Sequence, residues 1–379
     1  MPESSELDAD QRPQTRWAME PTLREVLLIG SVTAFFFVAT LLLFRPFLVT
    51  ARGTGDAGSY VAIAFAIRHW SFQGLVVKAF WGLSYLMACV SIVTRISDLG
   101  AYLVVSYVAG VSAIVLAYRL WGGWVAAFFT VLSLDWMQRL YLGGSESLFT
   151  ALLFGSFLAI RRERWVLAAF LASLSTIVRP LGLLALVALG LTLLWKKEYR
   201  SLAKATLVGM TVGGLYAIPL VLYFQSPMAN VRSYQNGDWQ GGRLLGWPFY
   251  AFLQSTFNGQ PPLTNLALTW GWILFALAGL LALLMAQRNR NYCRTYPVEA
   301  LFTLAYLFFL YTYNSPQWSR GNFPRFVIPV IPVILLALQG WLPKDRRLVW
   351  GLAVVSSVLA ACSAVGIRNV AGTLRNAIQ

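Results

Sequence analysis

Of the 15 acidic side chains in this 379-residue sequence, ten have ordinary addresses. Glu3, Glu6, Asp8, Asp10, Glu20 and Glu25 lie in or beside a polar N-terminal stretch, and Glu163, Glu198, Glu299 and Asp345 lie on the side of the lysine- and arginine-rich turns. The other five, Asp56, Asp98, Asp135, Glu146 and Asp238, fall on the opposite side of the apolar segments. Basic residues outnumber them there: Arg52, Arg68, Lys78, Arg95, Arg139, Arg179, Arg232, Arg243, Arg320 and Arg325. Guanidinium forks match anionic oxygens and stay charged. Cations gathered on the side where membrane proteins usually have fewer of them point to an anionic ligand at that surface.

Five of these residues sit where the apolar pattern breaks. "GDAGSY" (55–60) sets Asp56 among glycines with Tyr60 one helical turn on. "GGSESLF" (143–149) puts Glu146 at the start of an apolar run, after two glycines. "TIVRPLGLL" (176–184) places Arg179 just before Pro180, which cannot continue a helix. "SPQWSRGNFPRFVIPVIPVILL" (315–336) brings Trp318, Arg320 and Arg325 into a short loop ahead of a proline-bearing run. Each also has a plainer explanation. Asp56 suits a turn, Glu146 suits a helix start, and Arg179 and Arg325 suit snorkelling at the ends of spans. Asp135 with Arg139, and Asp98 with Arg95, are spaced as local structural pairs, and the tryptophans suit an interfacial belt.

The elements that must position these groups are membrane helices. The chain is 58% hydrophobic and 12% charged, about half the charge of a soluble domain, and its apolar runs are far longer than barrel strands. The net charge of +15 does not indicate nucleic acid, because it is divided among "RRER" (161–164), "KKEYRSLAK" (196–204), "RNRNYCR" (288–294) and "KDRR" (344–347), at every second loop. That is the positive-inside pattern, and it makes those loops cytoplasmic. Cys89, Cys293 and Cys362 have no metal-site or paired spacing, and His69 is the sole histidine. No zinc site, histidine metal cluster or Ser-His-Asp triad is expected.

With roughly 20 apolar residues per crossing, the sequence predicts an all-α polytopic membrane protein of about eleven spans. They fall near 25–48, 99–119, 121–138, 146–160, 165–178, 181–195, 205–224, 265–286, 297–313, 326–342 and 348–367. Residues 1–24 read as a disordered cytoplasmic tail and not as a cleaved signal peptide. Residues 25–379 form one transmembrane domain, whose outer loops, 49–98 and 225–264, cap a site. Residues 57–70 are expected as an interfacial helix and 74–93 as a reentrant or interfacial one. A true crossing at 74–93 would carry Asp56 away from Glu146 and Arg179.

"GSESLFTALLFGSFLAIRRERWVLAAFLASLSTIVRPLGLL" (144–184), "GDAGSYVAIA" (55–64) and "NFPRFVIPVIPVILL" (322–336) together resemble segments of the GT-C glycosyltransferases. These are multispanning enzymes that use polyprenyl-phosphate sugars, among them the GPI-type mannosyltransferases and the lipid-A sugar transferases. The shared pattern is Ser-Glu opening a span, a basic turn, a short span, then Arg-Pro, with a first outer loop that carries the catalytic aspartate. The chain departs from many members in having a lone acidic residue at 56, and it is expected to lack the large C-terminal soluble domain that some members carry.

The resemblance implies an inverting transfer of a sugar from a polyprenyl-phosphate donor to a lipid, glycan or protein acceptor. Asp56 would be the general base, and Arg179, Arg325, Arg320 and Lys78 would hold the donor phosphate. Glu146, Tyr60 and Trp318 would position substrate. The donor lipid replaces any cofactor, and a divalent metal is compatible with the family though no residue pattern here calls for one. Membrane lipids are partners and nucleic acid is not. The site would lie on the periplasmic face of a bacterial plasma membrane, or in the lumen of the endoplasmic reticulum. A transporter or flippase of lipid-linked sugars, and an oligosaccharide ligase or polymerase with a lipid-diphosphate donor, use similar outer cations and stay open on the sequence.

Overall fold

Lipid offers the backbone no hydrogen-bonding partners, so each segment must satisfy its own peptide groups. Among the described residues the regular elements are all helices, with one isolated antiparallel bridge between Leu245 and Tyr313. The structure is a computed structural model, and it describes residues 19–44, 56–72, 75, 79–237, 239–259, 263–315 and 322–365. Helix α1 (Leu23–Leu43) opens on a capping box, in which the Glu25 amide donates to Thr22 Oγ1 at 3.3 Å and the Thr22 amide to the Glu25 carboxylate at 2.9 Å. It is followed by α2 (Ala57–His69), α3 (Gly82–Thr94), α4 (Asp98–Trp121), α5 (Gly123–Leu132), α6 (Leu134–Tyr141), α7 (Ser145–Arg161), α8 (Trp165–Val178) and α9 (Leu183–Trp195). Then come α10 (Tyr199–Phe224), α11 (Ala229–Gly237), α12 (Tyr250–Gly259), α13 (Leu263–Met285), α14 (Gln287–Thr295), α15 (Pro297–Thr312), α16 (Phe323–Phe326), α17 (Ile331–Ala337) and α18 (Arg346–Ala364).

Among the described residues five helical stretches are long and apolar enough to cross a membrane: Leu23–Leu43, Asp98–Trp121, Tyr199–Phe224, Ala267–Met285 and Arg346–Ala364. The pair α6 and α7, bent by 100°, would make a sixth. The other expected spans are shorter helices, and the sequence gives the reasons. The run 121–138 divides at Ser133, whose side chain accepts from the Trp136 amide at 3.2 Å and so starts a new helix. The run 326–342 is interrupted by Pro329 and Pro332, which remove helical donors, and begins as a 3₁₀ turn at Ile328–Val330.

Of the expected tail 1–24, residues 1–18 lie outside the described residues. Glu20 is held, because its carboxylate accepts from the Gly123 amide at 2.6 Å. Arg346 donates to the carbonyls of Met19 and Glu20 and to Glu25.

The basic turns collect at one end of the bundle around Glu299, which is 2% exposed. Arg161 Nε and Nη2 donate to its two oxygens at 2.7 and 2.9 Å, and Trp121 Nε1 donates to Oε2 at 3.0 Å. The Tyr292 hydroxyl adds a further bond, and Arg161 stacks 3.8 Å from the Tyr296 ring centroid. This knot joins the ends of α4 and α7 to α14 and α15.

At the opposite end α2 and α3 lie together. Ser84 Oγ donates to the Tyr60 carbonyl at 2.9 Å, and Gly82 seats α3 on the end of α8, where a Cβ would lie 2.7 Å from the Ile177 carbonyl. Asp98 at the start of α4 pairs with Arg68 at the end of α2, at 2.9 Å, and accepts from Ser91 Oγ at 2.7 Å. The expected pairing of Asp98 with Arg95 does not form. Arg95 caps α3 in the left-handed conformation (φ 59°), and the tertiary partner prevails.

The Glu299 knot sets a stability test. Removing one member of a buried pair strands the other charge and costs about 3 kcal/mol, whereas replacing both by apolar groups is often close to neutral. Glu299→Ala should lower the thermal unfolding midpoint in detergent, and Arg161→Met/Glu299→Met should recover much of the loss. Equal midpoints for wild type and Glu299→Ala would show that the knot does not hold this end.

Candidate functional site

The site is built where four helices begin or end. Between α6 and α7 the chain turns through Gly143 and Gly144. Gly143 has φ +92°, and the Tyr102 ring occupies the space a Cβ would need. Glu146 therefore enters the bundle in the first turn of α7, where a carboxylate is favoured by the helix dipole. Arg179 ends α8 in an extended conformation ahead of Pro180. Arg325 sits in the one-turn helix α16. Asp56 immediately precedes α2, and its carboxylate makes no cap hydrogen bond to that helix.

These four side chains form one chain of charge. Arg179 Nη1 and Arg325 Nε both donate to Glu146 Oε1. Arg325 Nη2 donates to Asp56 Oδ2. Asp56 is therefore not a free turn residue, and it lies at the same end as Glu146. Exposure rises along the chain, from 1% at the Glu146 side chain to 9% at Arg325 and 37% at Asp56. Burial opposes the charge on Arg325, but Glu146 and Asp56 more than compensate and hold its pKa above the ordinary arginine value. Arg179 also packs 5.2 Å from the Phe326 ring centroid.

Tyr60 is buried next to Ser145 and stacks on Tyr102, with ring centroids 6.2 Å apart. Burial, with Asp56 adding to it, pushes its hydroxyl pKa up, so it stays protonated as a donor. The second expected cap loop reaches the same region. Asn230 donates to the Ala79 carbonyl at 2.8 Å, Tyr216 to Asn230 Oδ1 at 3.1 Å, and Trp239 Nε1 to Tyr313 at 3.1 Å. The half-buried Tyr234 on α11 lies within electrostatic range of Tyr60, Arg179 and Asp56, and desolvation raises its pKa too.

The structure thus brings Asp56, Glu146, Arg179, Arg325 and Tyr60 together. Lys78, Trp318, Arg320 and Asp238 lie outside the described residues. Asp135 and Arg139 make no ion pair with each other. Arg139 lies within electrostatic range of both Asp135 and Glu146, and a Cβ on Gly144 would lie 2.6 Å from both Arg139 Cδ and Glu146 Oε2. Arg139 and Tyr102 are the neighbours that sequence reasoning missed. The first has the spacing of a local pair with Asp135, and the second lies within an apolar stripe. Among the described residues Glu146 Oε2, Arg139 Nε and the Tyr102 hydroxyl are all buried without a hydrogen-bond partner, so one side of Glu146 keeps unused polar capacity. Among the described residues no three His, Cys, Asp or Glu side chains are grouped to hold a metal ion.

No family model matches the sequence, and no curated protein matches it. Among solved structures, the crystal structure of ArnT from Cupriavidus metallidurans in the apo state aligns at 17% identity with a TM-score of 0.48, covering 86% of this chain and 63% of ArnT. The chain thus spans less than two thirds of the length of that protein.

Glu146→Gln would leave Arg179 and Arg325 buried without their shared anion. The expected cost is about 3 kcal/mol, read as a lower unfolding midpoint. Inorganic phosphate should restore part of it, more than it stabilises wild type, by occupying the vacated guanidiniums. A variant as stable as wild type and indifferent to phosphate would show that Glu146 does not organise the cluster.

Proposed function

We propose that this chain is a membrane glycosyltransferase of the GT-C kind, which moves a sugar from a polyprenyl-phosphate donor to an acceptor hydroxyl at the outer face. The observation that carries the proposal is the Arg179–Glu146–Arg325–Asp56 chain, at the end of an apolar helical bundle remote from its basic turns. The order of motifs in the sequence supports the same reading. In this mechanism the donor phosphate takes Arg325 and Arg179 as partners, since guanidinium forks suit phosphate oxygens. Arg325 then exchanges its bond to Asp56 for one to phosphate. Asp56, the most exposed member of the chain, accepts the proton of the acceptor hydroxyl.

The hydroxyl oxygen attacks the anomeric carbon from the face opposite the phosphate. The bond from that carbon to the phosphate oxygen breaks, its electron pair leaves with the phosphate, and the configuration inverts. Fixed cations aimed at the growing phosphate charge contribute the main electrostatic stabilisation. Glu146 keeps both arginines in place, and Tyr60 offers a protonated hydroxyl beside them. Lys78 and Arg320 are assigned to the same phosphate and Trp318 to a sugar face, on their sequence contexts. A hexose of the mannose type is the donor sugar the resemblance favours, and the periplasmic face of a bacterial plasma membrane the favoured location.

Purified protein and Asp56→Asn can be compared with short-chain polyprenyl-phosphate mannose, glucose and related donors. Wild type should release polyprenyl phosphate. The variant should still bind donor but turn over at least about 100-fold more slowly, the usual range for loss of a general base. Undiminished turnover would remove Asp56 from the mechanism. Movement of intact donor across vesicles without cleavage would replace the transferase with a transporter.

A further inference from the structure

At the basic end, a cleft of about 600 Å³ opens between the start of α8 and the first turns of α10, about one bundle length from the cluster around Glu146. Its lining changes character along the helix axes. Arg164 and Lys204 stand toward the end of the bundle, while Phe170 and Val208 lie one to two helical turns deeper. Val166, Leu167 and Phe170 are exposed, and in a bilayer such side chains face acyl chains. Trp165 marks the boundary between the two zones, with the Lys196 ammonium 5.5 Å from its ring centroid, as interfacial tryptophans do.

The cleft itself is lined by Arg164 and Lys204 with one carboxylate, Glu163, and the turns 161–164 and 196–204 that flank it hold seven basic residues against two acidic ones, Glu163 and Glu198. Arg161 is already engaged by Glu299, and the remaining cations make no ion pair among the described residues. Helices α8 and α10 both start here without a side-chain cap, so their first amides add positive potential to the same mouth. A polar cationic mouth above an apolar trough of this length fits one amphiphile closely.

We infer that the cleft binds an anionic phospholipid of the adjacent leaflet, with its phosphate between Arg164 and Lys204 and an acyl chain along Phe170 and Val208. The positive-inside rule makes this the cytoplasmic leaflet, where anionic lipids meet basic juxtamembrane residues. The site is independent of the proposed transferase chemistry.

Native mass spectrometry of the full chain in detergent, with phosphatidylglycerol, cardiolipin and phosphatidylethanolamine added in equal amounts, tests this. Wild type should retain the anionic lipids preferentially. Arg164→Gln and Lys204→Gln should each lower that preference about fivefold, and the double variant should abolish it. Both side chains are exposed, so thermal unfolding should match wild type. Arg294→Gln/Lys344→Gln removes equal charge from other basic turns and should keep the preference. The inference is overturned if wild type shows no anionic preference, or if the double variant keeps it. It is also overturned if the two control substitutions abolish it equally, or if polyprenyl phosphate outcompetes phospholipid with the same dependence on Arg164 and Lys204.

Discussion

A carboxylate buried to 1% exposure between two guanidiniums is the constraint on which the outer end of this protein depends. Taking Glu146 out of water costs several kcal/mol, and only close cations can offset that. Arg179 and Arg325 come from positions 33 and 179 residues away, so the pair can form only if three distant segments terminate at one point. The local irregularities of the chain follow from this requirement. The glycines between α6 and α7 let the chain turn by 100° without striking Tyr102. Pro180 stops α8 at the level of Arg179, and the proline-rich segment after Arg325 keeps α16 to a single turn. Helices that would otherwise cross the bilayer smoothly are interrupted where their ends must present charge.

The two ends of the bundle solve the burial of a glutamate differently, and the contrast carries functional meaning. Glu299 has both oxygens bonded, to Arg161, Trp121 and Tyr292, and Arg161 is further satisfied by the Leu120 carbonyl and the Tyr296 ring. Such a closed knot fixes helices and leaves nothing to bind. Glu146 places both its bonds on one oxygen, and among the described residues its other oxygen, Arg139 Nε and the Tyr102 hydroxyl are buried without a hydrogen-bond partner. A cluster that buries charge yet stops short of satisfying it has polar capacity to offer to a ligand or to water.

How much of this could be read from the sequence differs by residue, for physical reasons. Asp56, Glu146, Arg179 and Arg325 stand out because each interrupts an apolar run at a glycine or proline, and breaks in a membrane helix are visible in a one-dimensional pattern. Their meeting was legible only through the expectation that 74–93 does not cross. In the structure α3 spans just Gly82–Thr94, and Asp56 lies at the end that holds Glu146. Asp98 misled because sequence spacing supplied it with a nearby partner, Arg95, whereas a tertiary contact gives it to Arg68. Arg139 lies near Asp135, as the spacing implies, and near Glu146 as well, which the spacing does not show. The eleven apolar runs were likewise easier to find than their breaks, since Ser133, Pro329 and Pro332 act through backbone hydrogen bonds that hydropathy does not weigh.

Charge balance limits what the cluster can do next. Asp56 and Glu146 bring two negative charges to the chain of ion pairs, and Arg179 and Arg325 bring two positive ones. Within that chain the sum is zero, so an anion arriving at Arg179 or Arg325 must take over a bond that a carboxylate now holds. Arg325 is the natural point of exchange. It alone bridges two carboxylates, and one of them, Asp56, is exposed enough to be rehydrated when its partner leaves, whereas Glu146 is not. Anion binding and the freeing of Asp56 are therefore one event in this geometry. An anion that engages Arg325 uncovers the carboxylate beside it, at the most accessible position of the chain.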